Sequence, residues 1–94
     1  MKKIRVPGKN NKHNVLVYAL STCAWCKLTK NFLKDNNIEY EYVDVDLSTG
    51  EDRERIRREI LKRGGRLNYP AIIIDDKTLI NGFRKEEIRE SLEL

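Results

Sequence analysis

The chain has few of the residues that build metal sites and disulfide frameworks: two cysteines, one histidine and, among the aromatics, a single tryptophan. Structural zinc takes four protein ligands. Cys23, Cys26 and His13 would need a carboxylate or a second chain to complete such a set. A Cys23–Cys26 disulfide would close a very short loop and constrain the unfolded chain little. No apolar run approaches the ~20 residues that cross a bilayer, so no membrane partner is expected. Residues 1–13 are basic but lack an apolar stretch, so no secretory signal is expected either. The expected compartment is the cytoplasm, where a cysteine pair is more often catalytic than structural.

What is present is one domain's worth of chain. Its 94 residues are 39% hydrophobic and 36% charged. A chain of that size buries only ~60–65% of its unfolded surface, enough for a small core. The net charge of +4 is unevenly placed. Lys2, Lys3, Arg5, Lys9 and Lys12 meet no acid within residues 1–13, while the rest holds 14 bases against 15 acids. Residues 1–13 therefore read as a basic N-terminal arm, and 14–94 as the folded domain. An acidic partner would suit the arm, but a solvated, mobile tail is the plainer expectation. No nucleic-acid motif accompanies it, so no nucleic-acid partner is expected.

Both cysteines fall in Cys23-Ala24-Trp25-Cys26. The apolar run Val15–Leu20 before them reads as a buried strand. Leu28, Phe32 and Leu33 after them fall near helical spacing. Cys23 is thus expected at a helix N-terminus, where free N–H groups and the helix dipole favour a thiolate. Cys26, one turn further in, is expected to be more shielded. That pattern is a nucleophile with a resolving partner, and it outweighs an inert disulfide or a metal site.

The remaining elements follow in order. Residues 4–6 have weak strand character. Strands are expected at about 14–20, 39–45, 71–74 and 78–80, and helices at about 24–36, 49–63 and 85–92. Asn36-Asn37 suits a left-handed cap after the first helix. Ser48-Thr49-Gly50-Glu51 reads as a capping box with Ser48 as the cap. Gly64-Gly65 stops the second helix. The Arg-rich second helix reads as a solvated face laced with weak ion pairs. His13 reads as a solvated loop histidine, and Asp44 and Asp46 as a polar strand end. Lys27 reads as a helix-surface cation. The order β-α-β-α-β-β-α predicts an α/β fold: a mixed four-stranded sheet, its first two strands parallel, with helices on both faces.

That order, with Cys-x-x-Cys at the first strand–helix junction and Tyr69-Pro70 before the third main strand, resembles the thioredoxin-like fold. Within it, residues 14–93 resemble the glutaredoxins. Cys23-Ala24-Trp25-Cys26, Tyr69-Pro70 and Asn81-Gly82-Phe83 carry the resemblance.

The resemblance implies a dithiol–disulfide oxidoreductase acting on protein disulfides. Cys23 would attack, Cys26 would resolve, and a redox-active Cys23–Cys26 disulfide would serve without a bound cofactor or metal. It implies a cis Tyr69–Pro70 bond that turns the Tyr69 backbone toward a substrate strand, with Gly82 and Phe83 as a neighbouring ledge. Trp25 either contacts the partner or packs on a nearby loop.

Three features depart from the family pattern. Ala24 stands where glutaredoxins usually have Pro. Leu20 stands where many have a Lys for a glutathione carboxylate. Arg84 and Lys85 stand where an acidic pair would meet the glutathione amine. Gly82-Phe83-Arg84 instead resembles the NrdH-type redoxins, which pass electrons to ribonucleotide reductase. A thioredoxin-type reductase is then the expected donor. Glutathione as donor, and a metal or iron–sulfur carrier, remain the rival readings.

Overall fold

The computed structural model describes residues 1–94. Five strands, β1 (Ile4–Val6), β2 (Val15–Ala19), β3 (Tyr40–Asp44), β4 (Ala71–Ile74) and β5 (Thr78–Asn81), form one sheet in the order β1-β3-β2-β4-β5. Three helices, α1 (Ala24–Asp35), α2 (Gly50–Lys62) and α3 (Lys85–Ser91), complete the fold. β2 and β3 are parallel, joined by the α1 crossover, and the other pairings are antiparallel.

The expected four-stranded sheet is corrected to five. β1 pairs with β3, Ile4 opposite Tyr42 and Val6 opposite Tyr40. The N-terminal residues are therefore not a free tail. Beyond β1, Asn10 bridges to the Ile38 region, its N–H donating to the Asn37 carbonyl at 2.8 Å. Gly8 makes that approach possible: a Cβ there would lie 2.5 Å from the Asn37 oxygen.

Strand alternation divides the core into two layers. Val15, Val17 and Ala19 of β2, with Ile72 and Ile74 of β4, face α1 and α3. Tyr18 of β2, with Ala71 and Ile73 of β4, faces α2 through Ile56 and Ile60. Each fully buried isoleucine contributes about 1.5–3 kcal/mol. The Tyr18 hydroxyl escapes this apolar layer by donating to Glu59 of α2 at 2.6 Å.

The helix ends follow local chemistry. Asn37, at φ 58°, ends α1, with the Ile38 N–H returning to the Leu33 carbonyl. Gly64, at φ 78°, ends α2 in the same way, and the Gly65 N–H returns to Ile60. Both are left-handed caps of the Schellman type. The N-cap of α2 is corrected by one residue. Thr49, not Ser48, accepts the Asp52 N–H at 3.1 Å, while the Ser48 hydroxyl turns back to donate to the Asp44 carbonyl.

Candidate active site

The loop between β2 and α1 ends on Cys23, the N-cap of α1. Its backbone is extended, and its sulfur occupies the place of the usual capping oxygen. The Cys26 N–H donates to Cys23 Sγ at 3.2 Å. An otherwise orphaned helix donor thus finds its acceptor in the sulfur. Cys23 is half-buried, and Cys26 one turn in is fully buried. Both are free thiols. Burial pushes the Cys26 thiol up to about 12, and its hydrogen bond with the Cys23 sulfur adds to the rise. The Leu20 backbone and the Lys30 ammonium oppose it. The two thiols are thus unequal: one reachable, one held neutral behind it.

The three separated motifs converge here. The Tyr69–Pro70 bond is cis, and the Tyr69 carbonyl oxygen lies 3.9 Å from Cys23 Sγ. The Pro70 carbonyl accepts the Gly82 N–H at 2.7 Å, which ties the β5–α3 turn to the same loop. Gly82 sits at φ 86°, a conformation that costs glycine nothing. Phe83 packs edge-on against Phe32 of α1, ring centres 5.8 Å apart. Trp25, Tyr69, Gly82 and Phe83 line one open cleft of about 620 Å³, together with the charged Arg66, Arg84 and Glu87. Pro70 itself is buried beneath. Trp25 is 62% exposed, so its indole stands in solvent beside the thiol rather than in the core.

Sequence reasoning missed the supports. Asn81 holds the loop that leads to Pro70: its amide donates to the Arg66 and Asn68 carbonyls and accepts the Arg66 N–H. Asp46 accepts from the Ser21 N–H at 2.9 Å and from the Ser21 hydroxyl, steadying the approach to Cys23. Those bonds hold the Asp46 carboxyl below the usual carboxylate range. The solvated-loop reading of His13 is corrected too. At the far end of the sheet its Nδ1 lies 2.6 Å from Asp75, 62 residues away. The ring is mostly buried there.

A thiol on a helix N-terminus, facing the carbonyl that precedes a cis-proline, defines a redox protein of the thioredoxin-like fold with a Cys23–Cys26 site. Comparison with known proteins narrows the class. A family model for glutaredoxin matches residues 15–79, and the chain belongs to the glutaredoxin family. It is 35% identical over 79 residues to a glutaredoxin-like 8.6 kDa protein in the rubredoxin operon of Clostridium pasteurianum, across 84% of this chain and 97% of that one. The crystal structure of a glutaredoxin from Methanosarcina mazei Go1 superposes with a TM-score of 0.89 at 37% identity, covering 100% of this chain and 90% of its own. Methanoredoxin from Methanosarcina acetivorans superposes with a TM-score of 0.79 at 36% identity, covering 86% and 85%. No helix is long and apolar enough to cross a membrane.

Proposed function

We propose that this chain reduces disulfides of partner proteins, through Cys23 as nucleophile and Cys26 as resolving thiol. The Cys23 thiolate attacks one sulfur of the partner disulfide. The partner S–S bond breaks, and the departing thiolate takes a proton from water. Cys26 then gives up its proton and attacks Cys23 Sγ. The mixed disulfide breaks, the partner leaves with both sulfurs reduced, and the chain holds a Cys23–Cys26 disulfide. The rate follows the thiolate fraction of the attacker and the acidity of the leaving thiol. The observation that carries the reading is the Cys26 N–H on the Cys23 sulfur, with a buried second thiol one turn behind it.

The cleft supports a protein partner. The Tyr69 carbonyl sits beside Cys23, where an extended partner segment would meet it. Trp25 offers a large exposed aromatic in the cleft, and tryptophan is enriched among the residues that anchor partners. Gly82 and Phe83 form the ledge opposite. The exchange needs no bound metal or organic cofactor, and its setting is a reducing, cytoplasmic compartment. Ribonucleotide reductase is the partner suggested by Gly82-Phe83-Arg84.

A thioredoxin-type reductase is the proposed electron donor. Arg84, at the cleft, and the neighbouring Lys85 would meet a glutathione ammonium with like charge, and Leu20 offers its carboxylates nothing. The test offers the oxidised protein either donor and follows both thiols by alkylation. Reduction by the reductase and not by glutathione is expected. Efficient reduction by glutathione would replace this donor assignment with an ordinary glutaredoxin cycle.

A further inference from the structure

α1 carries Cys26 and, one turn on, Lys30. Residues four apart leave a helix on one face, with Cβ atoms about 5–6 Å apart. This face is turned toward the sheet, since Cys26 and Leu33 on it are buried. Lys30 is drawn in with them: its side chain is only 22% exposed, an uncommon place for an ammonium. Two groups on β3 hold it there. Its Nζ lies 3.5 Å from Asp44 Oδ1 and 3.8 Å above the centre of the Tyr42 ring. Surface ion pairs on long side chains wander. This one is fixed by a carboxylate and an aromatic face together.

That charge has a use in the second half of the exchange. Cys26 must become a thiolate in order to attack Cys23, and burial opposes it. The core layer around Cys26 is otherwise apolar. Against it lie the Cys23 thiol, the phenols of Tyr40, Tyr42 and Tyr69, and a second ammonium, Lys85, whose Nζ is 5.8 Å from the centre of the Phe32 ring. Lys30 stands at its edge with Asp44 behind, and its charge pulls the Cys26 thiol down against burial and the Cys23 sulfur.

We propose that Lys30 is a positioning residue for the resolving step: held by Asp44 and Tyr42, its ammonium stabilises the Cys26 thiolate as it attacks the mixed disulfide on Cys23. The Cys26 proton passes to solvent, the Cys26–Cys23 bond forms, the Cys23–partner bond breaks, and the partner thiolate is protonated by water. No further oxidant or reductant enters. This inference rests on the exchange proposed above.

A nitrobenzoate disulfide that releases a coloured thiolate tests it on the reduced full chain. The first equivalent released reports attack by Cys23, and the second reports resolution by Cys26. In Lys30→Met the first release should stay within about twofold of the unsubstituted chain. The second should slow roughly tenfold at neutral pH, its pH profile moving up by about one unit, since one unit is a tenfold change in thiolate fraction. Lys30→Arg should restore the second release to within about threefold while keeping the charge. An unchanged second release and pH profile in Lys30→Met would overturn the proposal, as would equal slowing of both steps. Lys30→Gln is read in the same way if the Met variant does not fold. A single release from the unsubstituted chain, or a second release that persists in Cys26→Ser, would instead defeat the exchange mechanism itself. The role of Lys30 would then fall with it.

Discussion

The Cys26 N–H lies on the Cys23 sulfur at 3.2 Å, so the resolving residue's own backbone supports the nucleophile it will later attack. The same residue keeps its thiol fully buried. One thiol is within reach of a partner and the other is withheld, although only two residues separate them. This inequality gives the exchange its order.

The first consequence is selective alkylation. Reduced protein treated with iodoacetamide near neutral pH should be modified at Cys23, with Cys26 slower by roughly tenfold or more, because reaction follows thiolate character and access. Burial holds the Cys26 thiol up at about 12. Peptide mass spectrometry reads the two sites, and the difference should vanish in denaturant. Equal labelling of the folded chain would contradict the assignment.

Acid should weaken the fold through three carboxylates. The Ser21 hydroxyl holds Asp46 below its usual range, His13 does the same for Asp75, and Lys12 for Glu93. A carboxyl whose folded pKa is lowered contributes stability above its unfolded value of about 4, and that stability is lost as pH falls through the folded value. Tm should be level between about pH 7 and 5 with respect to these groups, and should fall below about pH 4. Asp46→Asn should make that fall shallower. An acid limb identical in Asp46→Asn would mean that the Ser21 contact adds nothing.

Tyr18→Phe tests the one hydroxyl set into the α2 layer. Its bond to Glu59 spans sheet and helix, and burial pushes the phenol well above its ordinary range. Glu59 is part-exposed and regains water when the hydroxyl is removed. The loss should therefore be about 1 kcal/mol, measured by urea unfolding. No change would place the bond among contacts that merely fill space.

Gly8→Ala tests whether β1 belongs to the fold. The added Cβ would meet Asn37 O at 2.5 Å and the backbone of Ile38 and Glu39 at 2.7 Å. Backbone cannot give way as a side chain tip can. Residues 4–10 should lose hydrogen-exchange protection, with about 1–3 kcal/mol of local destabilisation. Cys23 chemistry should be unaffected. Retained protection would mean that the segment is held some other way.

These cases also mark what could be read without coordinates. The cysteine pair, Asn37 and Gly64 were legible because their chemistry is local: a cap or a helix terminus is written within a few residues. The cis Tyr69–Pro70 bond was legible only through resemblance to a family. β1 was legible as a short extra strand at residues 4–6 but not as a member of the main sheet, because its three residues are mostly exposed and show no alternation. Its place depends on the bare backbone of Gly8 meeting residues 37–39. The His13–Asp75, Asp46–Ser21 and Lys30–Asp44 contacts span 62, 25 and 14 residues. Only the folded sheet brings such groups together. The Thr49 cap differs from the expected Ser48 by one residue, since Ser48 closes the short turn at Val45–Leu47 and its hydroxyl points back to the Asp44 carbonyl.

The most direct test of the central claim is a trapping experiment with a disulfide-bonded protein substrate. Cys26→Ser should accumulate a covalent one-to-one adduct through Cys23, visible by intact mass and released by a strong reductant. Cys23→Ser should form none. Equal adduct formation by the two variants, or equal exchange activity in both, would contradict the division of roles between the half-buried and the buried thiol.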